Sequence, residues 1–251
     1  MIDVALNPAD VRAAEIAVVI DVLRATSTVT QALAGGYRRV LCAESIELAE
    51  TLRTPGRVLA GERSCVKPEG FDQGNSPSEA IRPAGSELVL ATTNGTPAVA
   101  AAAALADTVL LACMLNLDAI VAAIFERAAG ADPDVQVVCS GTNRAVALED
   151  VYVAGRISER LTGARTDAAL AAEAVARAFR DPLAALSAGA DARALEAAGL
   201  SDDIPFCAQE SLLDVVPTVV MAQAGVAVVT RSDDAASPAS GVAEGCAGTP
   251  D

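Results

Sequence analysis

Three short stretches collect the polar residues that could do chemistry in an otherwise aliphatic chain: "DVLRATST" at 21–28, "TTNGT" at 92–96 and "SGTN" at 140–143. Each places hydroxyl and amide side chains, two of them with glycine, where an apolar run ends and a helical pattern begins. Arg24 lies within the first and Arg144 follows the third. Ser, Thr and Asn cap helices in any protein. Helix N-termini also offer free backbone amides and the positive end of a dipole, which suit a phosphate or carboxylate. Ser27, Thr28, Thr93, Asn94, Gly95, Thr96, Ser140, Gly141 and Thr142 are therefore candidate contacts to an anionic ligand.

Carboxylates stand beside these turns. Asp21 ends the first apolar run, Glu62 follows the run at 58–61, and Glu149 and Asp150 open the helix after the third turn. Oxygen ligands next to phosphate donors are what Mg²⁺ uses, as one or two carboxylates with water and substrate phosphate. A fourth stretch, "GERSCVKPEGFDQGNSP" at 61–77, gathers Glu62, Arg63, Lys67, Glu69 and Asp72 among glycines and prolines; Lys67 is the only lysine in the chain.

Other chemistries are excluded. The chain has no histidine, which removes Ser-His-Asp hydrolysis, histidine-ligated metal sites and phosphohistidine. Its six cysteines are scattered without a CxxC pair, and read as reduced core thiols. An aspartate at a strand end would suit the DxD device of the haloacid-dehalogenase phosphatases, but position 23 is leucine. Cys139 and Arg144 are one residue too close for a cysteine-phosphatase loop. A formal charge of −15 and a pI near 4.3 argue against nucleic acid and anionic membranes as partners. No run is long and apolar enough to span a bilayer. The N-terminus "MIDVALNPAD" lacks a basic segment followed by an apolar one, so the expectation is a cytoplasmic protein.

The elements that must position these residues follow from periodicity. Apolar runs at 16–22, 39–42, 58–61, 87–92, 108–113 and 135–139 lack polar alternation, which suits parallel strands covered on both faces. Between them, helical patterns fall near 28–34, 45–53, 97–105, 117–129 and 148–161. The alternation predicts an α/β fold, three-layer α/β/α with a mainly parallel sheet. In open α/β sheets ligands bind beyond the carboxyl ends of the strands, where the three turns lie. The Ala- and Arg-rich stretch 166–200 predicts two or three helices, the first over 167–180, and 226–230 a last strand. Residues 1–231 are expected to form a single domain, and 232–251, rich in Ser, Ala, Gly and Pro, a disordered tail. A homodimer is compatible with the sequence, which does not specify oligomeric state.

Four segments together, "VVIDVLRATSTVTQALAGG", "GERSCVKPEGFDQGNSP", "LATTNGT" and "VVCSGTNRAVALEDVYVAG", closely resemble the 2-phosphosulfolactate phosphatase (ComB) family, in order and over roughly 17–155. "DDIPFCAQESLLDVVP" at 202–217 extends the resemblance. It departs at Ser64 and Cys65, where the family motif tends toward glycine, and at 187–195, where members often carry a histidine. The resemblance implies a Mg²⁺-dependent phosphatase converting 2-phospho-3-sulfolactate to 3-sulfolactate, a step toward coenzyme M. On that expectation Asp21 with Glu62 or Glu149, and Asp72, would hold the metal, while Arg24, Arg63 and the amides of the turns bind phosphate. Lys67 and Arg144 would meet sulfonate and carboxylate. Attack would come from water activated with Asp150, or from Asp21 as nucleophile. Another small phosphorylated acid as substrate, or a binding protein without turnover, are the alternatives.

Overall fold

The computed structural model describes residues 1–130 and 132–235. In chain order its elements are β1 (Ile2–Ala5), β2 (Ala14–Ile20), α1 (Ala25–Gly35), β3 (Arg39–Ala43), α2 (Ile46–Thr51), β4 (Arg57–Gly61), β5 (Glu87–Ala91), α3 (Gly95–Ala103) and β6 (Ala106–Ala112). There follow α4 (Leu117–Ala128), β7 (Val135–Cys139), α5 (Leu148–Ser158), α6 (Asp167–Ala178), α7 (Pro182–Ala188), α8 (Ala190–Ala197), α9 (Asp203–Cys207), β8 (Pro217–Gln223), β9 (Val226–Arg231) and α10 (Ser232–Ala235). Single turns of 3₁₀ helix cover Pro8–Asp10, Pro77–Ile81 and Met114–Asn116.

The strands form one nine-stranded sheet in the order β1-β7-β2-β6-β8-β9-β3-β5-β4. Two blocks, β1-β7-β2-β6 and β3-β5-β4, are parallel within themselves. The β8–β9 hairpin joins them through three antiparallel pairings. β5 stands five places from β2 in this order, about 24 Å in a flat sheet at ordinary strand spacing. Yet Gly95, just past β5, lies against Asp21 and Ala25, just past β2. The sheet must therefore curl, and it curls around α1 and α3. Side chains of α1 and α3 pack with one face of β2, β6 and β7 and with one face of β3, β4, β5 and β9 in a shared core. α4 to α9 cover the other face of the first block, and α2 with Phe71 covers the other face of the second. Each block is thus a sheet with helices on both faces, the α/β/α arrangement expected from the sequence, with α1 and α3 common to both.

Burial on both faces explains why β5 (ELVLA) and β7 (VQVVC) carry almost no alternation and are buried throughout,. It also explains α1. Thr, Ser and Val have modest helix propensity, which placed the expected start near 28. The helix begins at Ala25 and its residues 25–33 are all buried. Three of its four hydroxyls are satisfied by backbone oxygens, Thr26 Oγ1 donating to Asp21 O (2.9 Å), Ser27 Oγ to Val22 O (2.8 Å) and Thr30 Oγ1 to Thr26 O (2.8 Å), while Thr28 Oγ1 is buried without a partner among the described residues,.

Two strands carry little sequence signal: β1 is four residues at the sheet edge, and β8 opens on a proline and meets β6 only at Leu110 with Thr218. The strand expected over 16–22 ends at Ile20, which frees Asp21 and Val22 for the following turn. Ser232–Ala235 form a helical turn in which Ser232 Oγ meets Thr218 Oγ1 at 2.7 Å. The rest of the expected tail, 236–251, lies outside the described residues. Among the described residues no helix is long and apolar enough to cross a membrane.

α5 and α6 approach closely at Gly155, where an added Cβ would stand 2.1 Å from Ala172 O and 2.6 Å from its carbonyl carbon. Backbone cannot yield as a flexible side chain can, so overpacking on the order of 1–3 kcal/mol is expected. Gly155→Ala should lower Tm by on the order of 5 °C by scanning calorimetry. An unchanged Tm would show that the two helices separate without cost.

Candidate active site

The turn after β2 carries the first site residues. Asp21 is buried, and its Oδ1 accepts from Ala25 N at 3.0 Å, capping α1. The Leu23–Arg24 peptide is cis. The Arg24 guanidinium, 3 % exposed, donates to Asp203 Oδ2 at 2.5 Å. Asp203 Oδ1 in turn accepts from Ser76 Oγ at 2.6 Å. One carboxylate on α9 thereby ties the first turn to the end of the 61–77 loop. Gly95 completes the floor: a Cβ there would fall 2.5 Å from Asp21 Oδ2 and 2.4 Å from Ala25 Cβ, so no other residue admits α3 so close.

Asp21 and Arg24 line a cavity of about 250 Å³ together with Glu62, Asn75, Thr142 and Asp191. Glu62 is fixed at both oxygens, accepting from Thr93 N (2.8 Å) and Cys65 N (3.0 Å). Asp191, on the first turn of α8, accepts from Thr142 Oγ1 at 2.5 Å. Behind it Glu149 is buried with no hydrogen-bond donor for Oε2 among the described residues. Its carboxyl faces that of Asp191, a contact only a shared proton can make a hydrogen bond,. Gly189 clears the space, since a Cβ there would sit 2.2 Å from Glu149 Oε2. Asp150 is buried and accepts from Val22 N (3.0 Å) and Gly141 N (3.1 Å), clamping the first and third turns together.

So many acids in a dry place resist ionisation. Burial, then the charges of Asp191 and Glu62, push the Asp21 carboxyl up to about 7, against the Ala25 amide and Arg24. Burial and the charge of Asp191 push Glu149 up to about 8. Asp150 is also raised, by burial and then by Asp21 and Glu149, although two amides favour its charge. The site lacks positive charge that Arg24, already paired, does not supply.

A hard cation fits this donor set. The lining acids are oxygen donors, and Asn75 Oδ1, buried and without a partner, adds a carbonyl oxygen. Among the described residues no three His, Cys, Asp or Glu side chains stand together as a ready metal cage.

The structure brings Asp21, Arg24, Glu62, Thr93, Asn94 and Thr142 to this cavity. Ser140 and Arg144, with Thr93 and Asn94, line an adjoining one. Gly95 and Gly141 shape the floor and the third turn without lining either. Other candidates are corrected. Ser27 and Thr28 face the core from α1, and Ser27 spends its hydroxyl on Val22 O. Thr96 exchanges hydrogen bonds with Thr92 and is buried. Asp72 is bound to Leu59 N and Arg53 and does not line the cavity. Arg63 donates to Glu62 O, and Lys67 is exposed; neither lines the cavity. Asp150 accepts from two amides and is not among the residues that line the cavity. Of the 61–77 loop only its two ends, Glu62, Ser64 and Cys65 at one and Asn75 at the other, reach the cavity. Asp191 and Asp203 were missed because each opens a short helix in an Ala-rich region, where an acid is ordinary. The break at Gly189 was the one available signal for Asp191.

The 61–77 loop and the third turn share a device. Arg63 and Val66 exchange backbone hydrogen bonds across Ser64 and Cys65, as do Thr142 and Ala145 across Asn143 and Arg144. All four central residues have φ between 51° and 67°. These are two-residue turns of the left-handed kind that glycine and asparagine favour.

An α/β sheet that gathers an arginine, buried acids and hydroxyl turns at its strand ends is built as a hydrolase for phosphate esters. The model of the family described as 2-phosphosulpholactate phosphatase matches residues 3–222. The chain therefore belongs to the 2-phosphosulfolactate phosphatase family, a family of phosphoric monoester hydrolases. A protein of Thermus thermophilus named probable 2-phosphosulfolactate phosphatase is 40 % identical over 86 % of this chain and 92 % of its own length. One of the same name from Pseudothermotoga lettingae is 38 % identical over 88 % and 96 %.

Two outcomes are expected. The folded protein holds protons on Asp21 and Glu149 that the unfolded chain releases near its ordinary carboxylate range. In EDTA, stability should therefore fall as pH rises from about 4 to about 8, with Tm lower at the upper end by on the order of 5–10 °C. Asp21→Asn should flatten that fall; a flat profile for the parent protein would contradict the raised values. Removing one partner of a buried ion pair strands the other, so Asp203→Asn should cut kcat/KM about 100-fold and lower Tm. Kinetics at parental level would show that Asp203 does not set Arg24.

Proposed function

We propose that the protein is a Mg²⁺-dependent phosphatase that hydrolyses 2-phospho-3-sulfolactate to 3-sulfolactate and inorganic phosphate, a reaction of the coenzyme M biosynthesis type. The observation that carries this reading is the juxtaposition, in one cavity, of a clamped arginine and oxygen donors with an unmet demand for positive charge. The printed name of the relatives supports the choice of ester.

The protein carries −15 and the ester is strongly anionic, so attraction must be local, within the range where the global charge is screened. Asp21 and Glu62, with the Asn75 carbonyl, would hold the magnesium ion. When bound, that ion supplies Lewis-acid neutralisation of the phosphoryl oxygens. Arg24, held rigid by Asp203, directs its remaining N–H groups to the same oxygens. The Glu149–Asp191 pair would handle the proton: Glu149 retains one up to about pH 8, and Asp191, which lines the cavity in front of it, would pass it to the leaving alkoxide,. The proton released by the attacking water restores the pair.

Phosphate release from 2-phospho-3-sulfolactate should fall more than about 100-fold in EDTA and return with MgCl₂. Full turnover in EDTA would remove the metal from the proposal. Release from other phosphorylated acids but not from phosphosulfolactate would move the substrate and leave the chemistry in place.

A further inference from the structure

The acid cavity is walled by turns and by one helix. The turns after β2, β5 and β7 and the two ends of the 61–77 loop supply most of the lining, and α8 supplies Asp191, Ala194 and Leu195. The turns continue directly from strands and are tied to one another through Asp150, Asp203 and Glu62. α8 is tied by little. It has eight residues, too few for a helix to stand alone, and its N-cap, Gly189, offers no side-chain cap. Ala192 and Leu195 are its buried residues, while Ala190, Arg193, Ala194, Glu196 and Ala197 are exposed. Arg193 donates to Ala188 O, just before the helix. Among the described residues, Asp191 is the one side chain of α8 that bonds to another part of the fold, to Thr142 Oγ1 and against Glu149.

Both ends of α8 are joints. Gly189 ends α7 and caps α8 in an extended conformation (φ −73°, ψ 172°), so the two helices meet at a single residue. At the other end Gly199 has φ 74°, a left-handed conformation that glycine adopts without penalty, and a Cβ there would meet nothing within 4 Å,. Elements with few buried apolar contacts open locally at low cost, and such elements serve as lids over reaction sites. Electrostatics give the opening a purpose. The charge of Asp191 presses on Asp21 and Glu149, and an anionic ligand must enter against it. A helix that swings out carries that charge away; its return restores the acid once the ligand is in place and water is excluded.

We propose that α8 is a gate over the acid cavity, hinged at Gly189 and Gly199, and that Thr142 is the positioning residue that latches it through Asp191. The assignment rests on the acid cavity as the place of reaction. Thr142 acts on turnover through the helix: its hydroxyl seats the Asp191 carboxylate beside Glu149. The latched state is the working one, and the unlatched state loads and unloads the cavity.

Amide hydrogen exchange read by mass spectrometry on the full chain tests the gate. In wild-type protein the amides of α8 should exchange at least about tenfold faster than those of α5, and should slow when MgCl₂ and inorganic phosphate are added together. Thr142→Val should speed exchange in α8 about tenfold, the effect of one strong hydrogen bond. Exchange in α5 and α6 should stay as in wild type, which also shows that the variant is folded. The same variant should lower kcat for phosphate release about tenfold, and Thr142→Ser, which keeps the hydroxyl, should restore both exchange and kcat. If α8 is as protected as α5, or is not slowed by MgCl₂ with phosphate, the gate is overturned. If Thr142→Val raises KM while exchange in α8 matches wild type, Thr142 is a ligand contact and the latch is overturned. Should wild-type protein release no phosphate, the phosphatase reading fails, and the exchange of α8 in wild type and Thr142→Val still decides the gate: faster exchange in the variant supports it, and equal exchange overturns it.

Discussion

The structure is organised around one electrostatic problem: Asp21, Glu62 and Asp191 line one cavity with a single arginine that is itself already paired, and Glu149 and Asp150 are buried beside them. Four of the five acids are held by a local device, while Glu149 Oε2 has no donor among the described residues. Asp21 takes a helix N–H, Glu62 takes two loop amides, Asp150 takes one amide from each of two turns, and Asp191 takes a hydroxyl. Glycines at 95 and 189 leave room for the oxygens. Such an arrangement is costly to fold, and it makes sense in a protein whose ligand brings a cation. The acids hold the turns in place, and the turns hold the acids.

Much of this was legible in the sequence. The apolar runs named the inner strands because burial on both faces removes alternation, and the hydroxyl turns fell at strand ends as their residues suggested. What could not be read was which side of α1 each hydroxyl faces. Ser27 and Thr28 look like ligand contacts in a string, but a helix enclosed by two half-sheets has no solvent face to give them. Asp72 misled for a related reason: a charged loop residue near a strand end can just as well return to its own strand, as it does at Leu59 N. Asp191 and Asp203 stayed hidden because their importance comes from long-range contacts, with Thr142 and with Arg24, that no local pattern encodes.

The two cavities are divided by charge. The first concentrates negative oxygen and calls for a cation; the second is lined by no acid. A net charge of −15 says nothing of this division, since both environments lie within a few residues of each other on the same turns. Thr142 faces one side and Arg144 the other because the intervening left-handed residues reverse the chain between them.

The β8–β9 hairpin has a consequence for how the protein comes into being. It is the last strand pair in the chain, yet it occupies the middle of the sheet, between β6 and β3. During synthesis the two parallel blocks can each begin to assemble on their own helices, but their facing edges stay unpaired until residues 217–231 leave the ribosome. Until then the nascent chain presents two open strand edges, the kind that invite wrong partners. A ribosome stalled or a chain truncated before that point would yield a molecule with nearly every cavity residue translated and no finished sheet to hold them in register.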